Sequence, residues 1–104
     1  MKFGMLYELQ LPKPWDQESE LRLINEATEQ IILADQIGID HAWAVEHHFL
    51  EEYSHCSASD VFLASLAAQT ERIRIGLGIR QVIPNYNHPS RTAETVAMLD
   101  LVSG

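Results

Sequence analysis

The sequence predicts an α/β fold in which three strand–helix units follow one another with their strands parallel. Three observations carry this. Short apolar runs alternate with longer segments whose apolar residues recur every three or four positions. No tight-turn dipeptide joins one run to the next, so hairpins are disfavoured. Each unit takes roughly 35 to 40 residues, room for a helical crossover between parallel neighbours.

Phe3 to Tyr7 reads as the first strand. Leu9 to Trp15 is a loop, because Pro12 and Pro14 suit neither a central strand nor a helix interior. Asp16 or Ser19 is placed to cap the first helix. Leu21, Ile24, Ala27, Ile31, Ala34 and Ile37 give that helix one apolar face, and Gly38 stands at its C-cap. Ile39 to Val45 is the second strand. Its run Ala42-Trp43-Ala44-Val45 is expected to be covered on both faces.

Residues 46 to 57 form a polar loop, and Ser57 with Asp60 has the shape of a capping box for a helix over Val61 to Thr70. Ala64, Ala67 and Ala68 would let that helix sit close to a sheet. In the third strand Ile73, Ile75, Leu77 and Ile79 alternate with Arg74, Gly76, Gly78 and Arg80. Strand glycines signal a bulge or a close approach by backbone or ligand. After the loop from Gln81 to His88, Pro89 suits the first turn of a third helix, whose inner face is Ala93, Val96, Ala97 and Leu101.

Three such units make an open sheet with an unpaired apolar edge at each side. The expectation is therefore an incomplete TIM (β/α)₈ barrel, represented by its N-terminal three units, since a whole barrel takes about 250 residues. A small open α/β domain is the alternative. Residues 1–104 form a single unit with no second domain.

Composition narrows the partners. The 104 residues carry a net charge of −8, with 7 Lys and Arg scattered along the chain. That balance disfavours nucleic acid or an anionic membrane as the main partner. A single cysteine, Cys56, excludes an intrachain disulfide and suits a reducing compartment. It reads as a small filler near a helix start. The N-terminus lacks the charged and apolar regions of a signal peptide, and no apolar run reaches the ~18 residues of a membrane span. Cytoplasm is the expected location.

Five blocks in register then carry a resemblance. They are Lys2-Phe3-Gly4-Met5, Trp43-Ala44-Val45-Glu46-His47-His48-Phe49, Arg72-Ile73-Arg74-Ile75-Gly76-Leu77-Gly78, Asn87-His88-Pro89 with Arg91, and Leu99-Asp100-Leu101-Val102-Ser103-Gly104. Together they resemble the bacterial-luciferase-like flavin-dependent monooxygenases over essentially the whole chain. The resemblance is closer to the family's general oxidoreductases than to light-emitting luciferase. It implies a barrel that binds reduced FMN, or in some branches the deazaflavin F420, at the C-terminal ends of the strands. Together with O₂ the flavin oxidises an organic substrate, and an NAD(P)H-dependent reductase supplies it. The resemblance also implies a homo-oligomer paired through this front part of the barrel. The FMN phosphate is held by later strands in the family, so residues 1–104 alone are expected not to bind FMN. A non-catalytic piece that keeps a dimerisation surface without flavin is the rival reading.

The candidate site follows from the strand ends. Adjacent strand residues point to opposite sides, so only one of His47 and His48 can face the barrel mouth. The resemblance selects His47 as the catalytic residue, an acid, base or hydrogen-bond partner at the flavin's reactive edge; imidazole suits this because its ordinary pKa lies near ~6.5. Glu46 is placed to orient a histidine, pair with Arg74 or Arg80, or meet a second subunit. The resemblance implies that Gly76, Gly78 and Ile79 are the cofactor-binding residues, with a non-proline cis peptide matching about Gly78-Ile79. Tyr7, Phe49 and Tyr86 are candidates for lining an apolar substrate pocket, with Tyr53 a further loop aromatic. His88-Pro89 reads as shaping the loop and helix start. A zinc site on Glu46, His47, His48, His55 and His41 is disfavoured, because the spacing matches no helical ligand pair and lacks a Cys/His grouping.

Overall fold

A computed structural model describes residues 1–104. The element order is β1 (Gly4–Tyr7), α1 (Ser19–Ile37), β2 (His41–Ala44), α2 (Ser59–Ala67), β3 (Arg74–Leu77) and α3 (Pro89–Ser103). The strands form one open sheet in the order β1-β2-β3, both pairs parallel. The βα alternation read from periodicity is therefore present, and the sheet does not close into a barrel.

Register sorts the strand residues onto two faces. Gly4, His41 and Arg74 are aligned across the sheet, as are Met5, Ala42 and Ile75, then Leu6, Trp43 and Gly76, then Tyr7, Ala44 and Leu77. Alternation puts Met5, Tyr7, Ala42, Ala44, Ile75 and Leu77 on the side where the helices pack. There Ile31 of α1 and Leu63 and Leu66 of α2 are almost wholly buried. The opposite face carries Leu6 and Trp43, and both are exposed. Here the expectation for β2 fails: its apolar run is covered on one face only, because all three helices lie on the same side.

Helix faces differ from expectation for the same reason. In α1, Ala27, Ile31 and Ala34 are buried, but Leu21 and Ile37 are exposed. In α3 only Leu99 is buried, while Val96 and Leu101 face outward. Its main contacts are with α2, so a single line of residues is covered.

Caps follow local chemistry. Gly38 takes φ +89 at the end of α1, a left-handed conformation that favours glycine, and the following Ile39 N–H reaches the Ala34 carbonyl at 2.9 Å. Neither Asp16 nor Ser19 caps α1, whose N-cap is Glu18 with no side-chain cap hydrogen bond; the two instead order the turn before it. The Asp16 N–H donates to Ser19 Oγ at 2.9 Å, and Asp16 Oδ1 accepts from the Glu18 N–H at 2.8 Å. With Arg22 donating to it as well, the Asp16 carboxyl is held at about 2. The Ser57–Asp60 capping box does not form: α2 starts at Ser59, two residues earlier than expected, without a side-chain cap. Pro89 does open α3, and His88 caps it through Nδ1, which accepts from the Ser90 N–H at 3.3 Å.

Asp35 had no place in the apolar pattern, yet it is buried in the last turn of α1. Its carboxylate accepts the N–H groups of Glu71, Arg72 and Ile73 at 3.0, 2.9 and 2.7 Å, tying the end of α1 to the start of β3. Burial raises its pKa, but these three donors more than offset that, leaving it below the ordinary carboxylate value.

Candidate functional site

The C-terminal ends of the strands bring the EHH run together with the loop after β3. Glu46 lies two residues beyond β2, and its side chain is 2% exposed. Such a carboxylate needs partners, since burying a charge unpaired is expensive. It has them. Oε1 lies 3.2 Å from His48 Nε2 and accepts from Asn87 Nδ2 at 3.2 Å. Oε2 is 3.7 Å from Arg80 Nη1 and accepts the Gln81 N–H at 3.4 Å. Arg80 also pairs with Asp60 at 3.3 Å, so α2 joins the same cluster. Of the two arginines considered for Glu46, Arg80 is its partner. Tyr86 completes the group: its hydroxyl is 2.7 Å from His48 Nε2. Desolvation and the Glu46 carboxylate push the Tyr86 phenol above its ordinary value.

His47 leaves the strand on the other side. Its backbone N–H donates to the Cys56 carbonyl at 2.9 Å, and its ring meets Tyr53 edge-on at 5.5 Å. Its Nε2 is 3.5 Å from Glu8 Oε2. His47 and His48 thus meet different carboxylates, Glu8 and Glu46. Both border a cleft of about 690 Å³ whose other walls include Trp15, Phe49, Leu50 and His55. His55 Nδ1 is 2.7 Å from Glu20 Oε1, and Trp15 meets its ring edge-on. Neither contact had a signal in the sequence.

Phe49 is fully exposed and takes φ +56, an unfavourable conformation for a bulky residue. Tyr7 is set apart from this cluster. It lies on the helix-facing side of β1, where its hydroxyl donates to Gln30 at 3.3 Å.

The two glycines of β3 have different surroundings. A Cβ on Gly76 would stand 2.4 Å from Trp43 Cζ3, so the indole already lies across that position. A Cβ on Gly78 would come within 3.1 Å of the Ala44 carbonyl and of Leu6 Cδ1. The Gly78 N–H donates to that same carbonyl at 2.7 Å, and Ile79 beyond it is 46% exposed. Gly76 is thus a packing glycine beneath Trp43, while Gly78, exposed but close against the Ala44 carbonyl and Leu6, leads into the exposed Ile79. The cis peptide of the chain joins Lys13 and Pro14, so the expected cis bond at Gly78-Ile79 is not found. Cys56 is buried and free; burial, with Glu46 and Asp60 nearby, pushes its thiol up to about 11. At neutral pH it is not a nucleophile. No helix is long and apolar enough to cross a membrane.

Comparison with known proteins agrees with this geometry. Residues 1–104 match the family model for luciferase-like monooxygenases. The oxygenase component of the flavin-dependent trigonelline monooxygenase of Acinetobacter baylyi is 30% identical, over 99% of this chain and 27% of its own length. The crystal structure of monooxygenase RslO1 from Streptomyces bottropensis superposes with a TM-score of 0.82 at 35% identity, covering 99% of this chain and 30% of that one. The oxygenating constituent of 3,6-diketocamphane monooxygenase from Pseudomonas putida, in complex with FMN, shares the fold with a TM-score of 0.79 at 19% identity; 99% of this chain and 27% of that one are covered. The chain thus spans somewhat over a quarter of the length of these relatives.

Proposed function

Because the chain belongs to the luciferase-like monooxygenase family, we propose that it contributes to a flavin-dependent monooxygenase that uses reduced FMN and O₂ on a small organic substrate. The observation that carries this reading is that His47 and His48 meet different carboxylates just beyond β2, at the same end of the sheet as the exposed Gly78 and Ile79. Family membership and the FMN held by one structural relative support the choice of cofactor. A flavin reductase is the corresponding partner.

Gly78 and Ile79 are the residues that fit a flavin ring, since their backbone is exposed at the strand end and free of the indole that covers Gly76. When bound, reduced FMN supplies the electrons that activate O₂. The residues of this chain do the rest of what is proposed here. His47 presents an imidazole to the cleft and donates or accepts a proton there. Phe49 offers aromatic surface in the cleft and Leu50 apolar wall to an uncharged organic molecule, with the exposed Tyr86 beyond them against His48. Glu46 holds His48 and the β3 loop in place through its four contacts. Gly76 takes part indirectly, by seating Trp43.

The test is anaerobic titration with reduced FMN, followed by admission of O₂, on a protein in which these 104 residues are continued to the length of the relatives. The reading expects saturable binding and reoxidation faster than that of free flavin. Absence of binding would favour the rival, a dimerisation surface without flavin. Residues 1–104 alone are expected to bind far more weakly, because the phosphate site of the family lies on later strands.

A further inference from the structure

The sequence offers no reason to single out Glu8, yet the structure places it at the catalytic candidate. It follows β1 directly, and the next residue, Leu9, takes φ +53 with its side chain buried. That left-handed bend is uncommon for leucine. The segment is tied down on its far side by the His55 N–H donating to the Leu9 carbonyl at 2.9 Å. Held in this way, Glu8 reaches the end of β2. Its Oε2 is buried and makes no hydrogen bond, although His47 Nε2 stands 3.5 Å away.

A buried carboxylate oxygen without a donor costs about 1–3 kcal/mol. The imidazole N–H beside it is the group that can relieve that cost. At 3.5 Å the contact is longer than a hydrogen bond. Side chains that orient a catalytic base are commonly loose before substrate arrives and tighten in the complex.

We propose that Glu8 is the positioning residue of His47: its carboxylate accepts a hydrogen bond from Nε2–H and leaves Nδ1 as the nitrogen offered to the reacting groups. The argument rests on the assignment of His47 in the proposed function. The ring is then fixed from two sides, by Glu8 at Nε2 and by the edge-on Tyr53. Which nitrogen of a neutral imidazole carries the proton is set by the bond its partner makes.

Histidine-selective ¹⁵N NMR of the full chain tests this without flavin. The His47 ring is expected to show Nε2 protonated, with an N–H proton protected from exchange by on the order of tenfold relative to a solvated imidazole. Glu8→Leu keeps the bulk but removes the acceptor, and the protection is lost. Glu8→Gln, whose amide oxygen still accepts, restores part of it. A wild-type spectrum with the proton on Nδ1 overturns the proposal, even if Glu8→Leu does not fold. So does unchanged protection in a folded Glu8→Leu. In the barrel-length protein, Glu8→Gln is expected to slow flavin reoxidation on the order of tenfold; an unchanged rate beside the expected spectrum would also overturn the positioning role. Failure of the His47 assignment reads out separately, as full activity in His47→Gln while the wild-type protein still shows Nε2 protonated.

Discussion

His47 and His48 are neighbours in sequence but belong to two unlike networks. His48 sits in a more closed set: Glu46, Asn87, Arg80, Gln81 and Tyr86 pair across β2, β3 and the loop that follows, with Arg80 Nε left buried and without a partner. His47 sits in an open set, with one carboxylate at 3.5 Å and an aromatic edge. A satisfied buried network makes a structure rigid, whereas an under-satisfied one has capacity left for a ligand. The contrast assigns architecture to His48 and chemistry to His47.

Two substitutions would sharpen or break that contrast directly, and others test the packing around it. The largest effect is expected for Glu46→Ala, which leaves Arg80 and His48 without their shared carboxylate. A loss of about 3 kcal/mol should appear in urea unfolding, and a loss below about 0.5 kcal/mol would mean that the closed set is not structural. Gly76→Ala comes next, at about 2 kcal/mol, because its methyl collides with the Trp43 ring. Most of that cost should vanish in a Trp43→Ala background, and strict additivity would show that the indole is not the cause. Tyr86→Phe removes one hydrogen bond from the closed set, for about 1 kcal/mol.

The smallest effect is a pH slope at Asp35, outside both networks. Its folded pKa lies below the ordinary value, so its contribution is present above the unfolded pKa and is lost as pH falls through the folded one. Below about pH 4 the wild type should lose stability faster than Asp35→Asn. Parallel curves would show that the three backbone donors do not favour the carboxylate.

Much of the fold was legible because βα alternation writes itself in hydrophobic period, punctuated by Gly38 and Pro89. The faces were less legible. Leu21, Ile37, Val96 and Leu101 carry the correct period but lie where no neighbour covers them. Trp43 read as doubly buried because an apolar run does not reveal how many of its faces are packed. At the site, the EHH run was visible. Glu8 and Asp35 acquire their roles from contacts 36 to 39 residues away in sequence, which no local pattern encodes; Arg80 was one of two arginines offered to Glu46, and the fold chose between them. Gly76 shows the converse case: its meaning depended on which neighbour filled the space above it.

The most direct test compares His47→Gln with His48→Gln in the barrel-length protein, measuring flavin reoxidation and urea stability on the same samples. The account predicts that His47→Gln slows reoxidation about 100-fold with stability changed by less than about 0.5 kcal/mol. It predicts that His48→Gln does the reverse, losing about 1 kcal/mol and little rate per folded molecule. A stable, fully active His47→Gln, or a rate loss confined to His48→Gln, would contradict it.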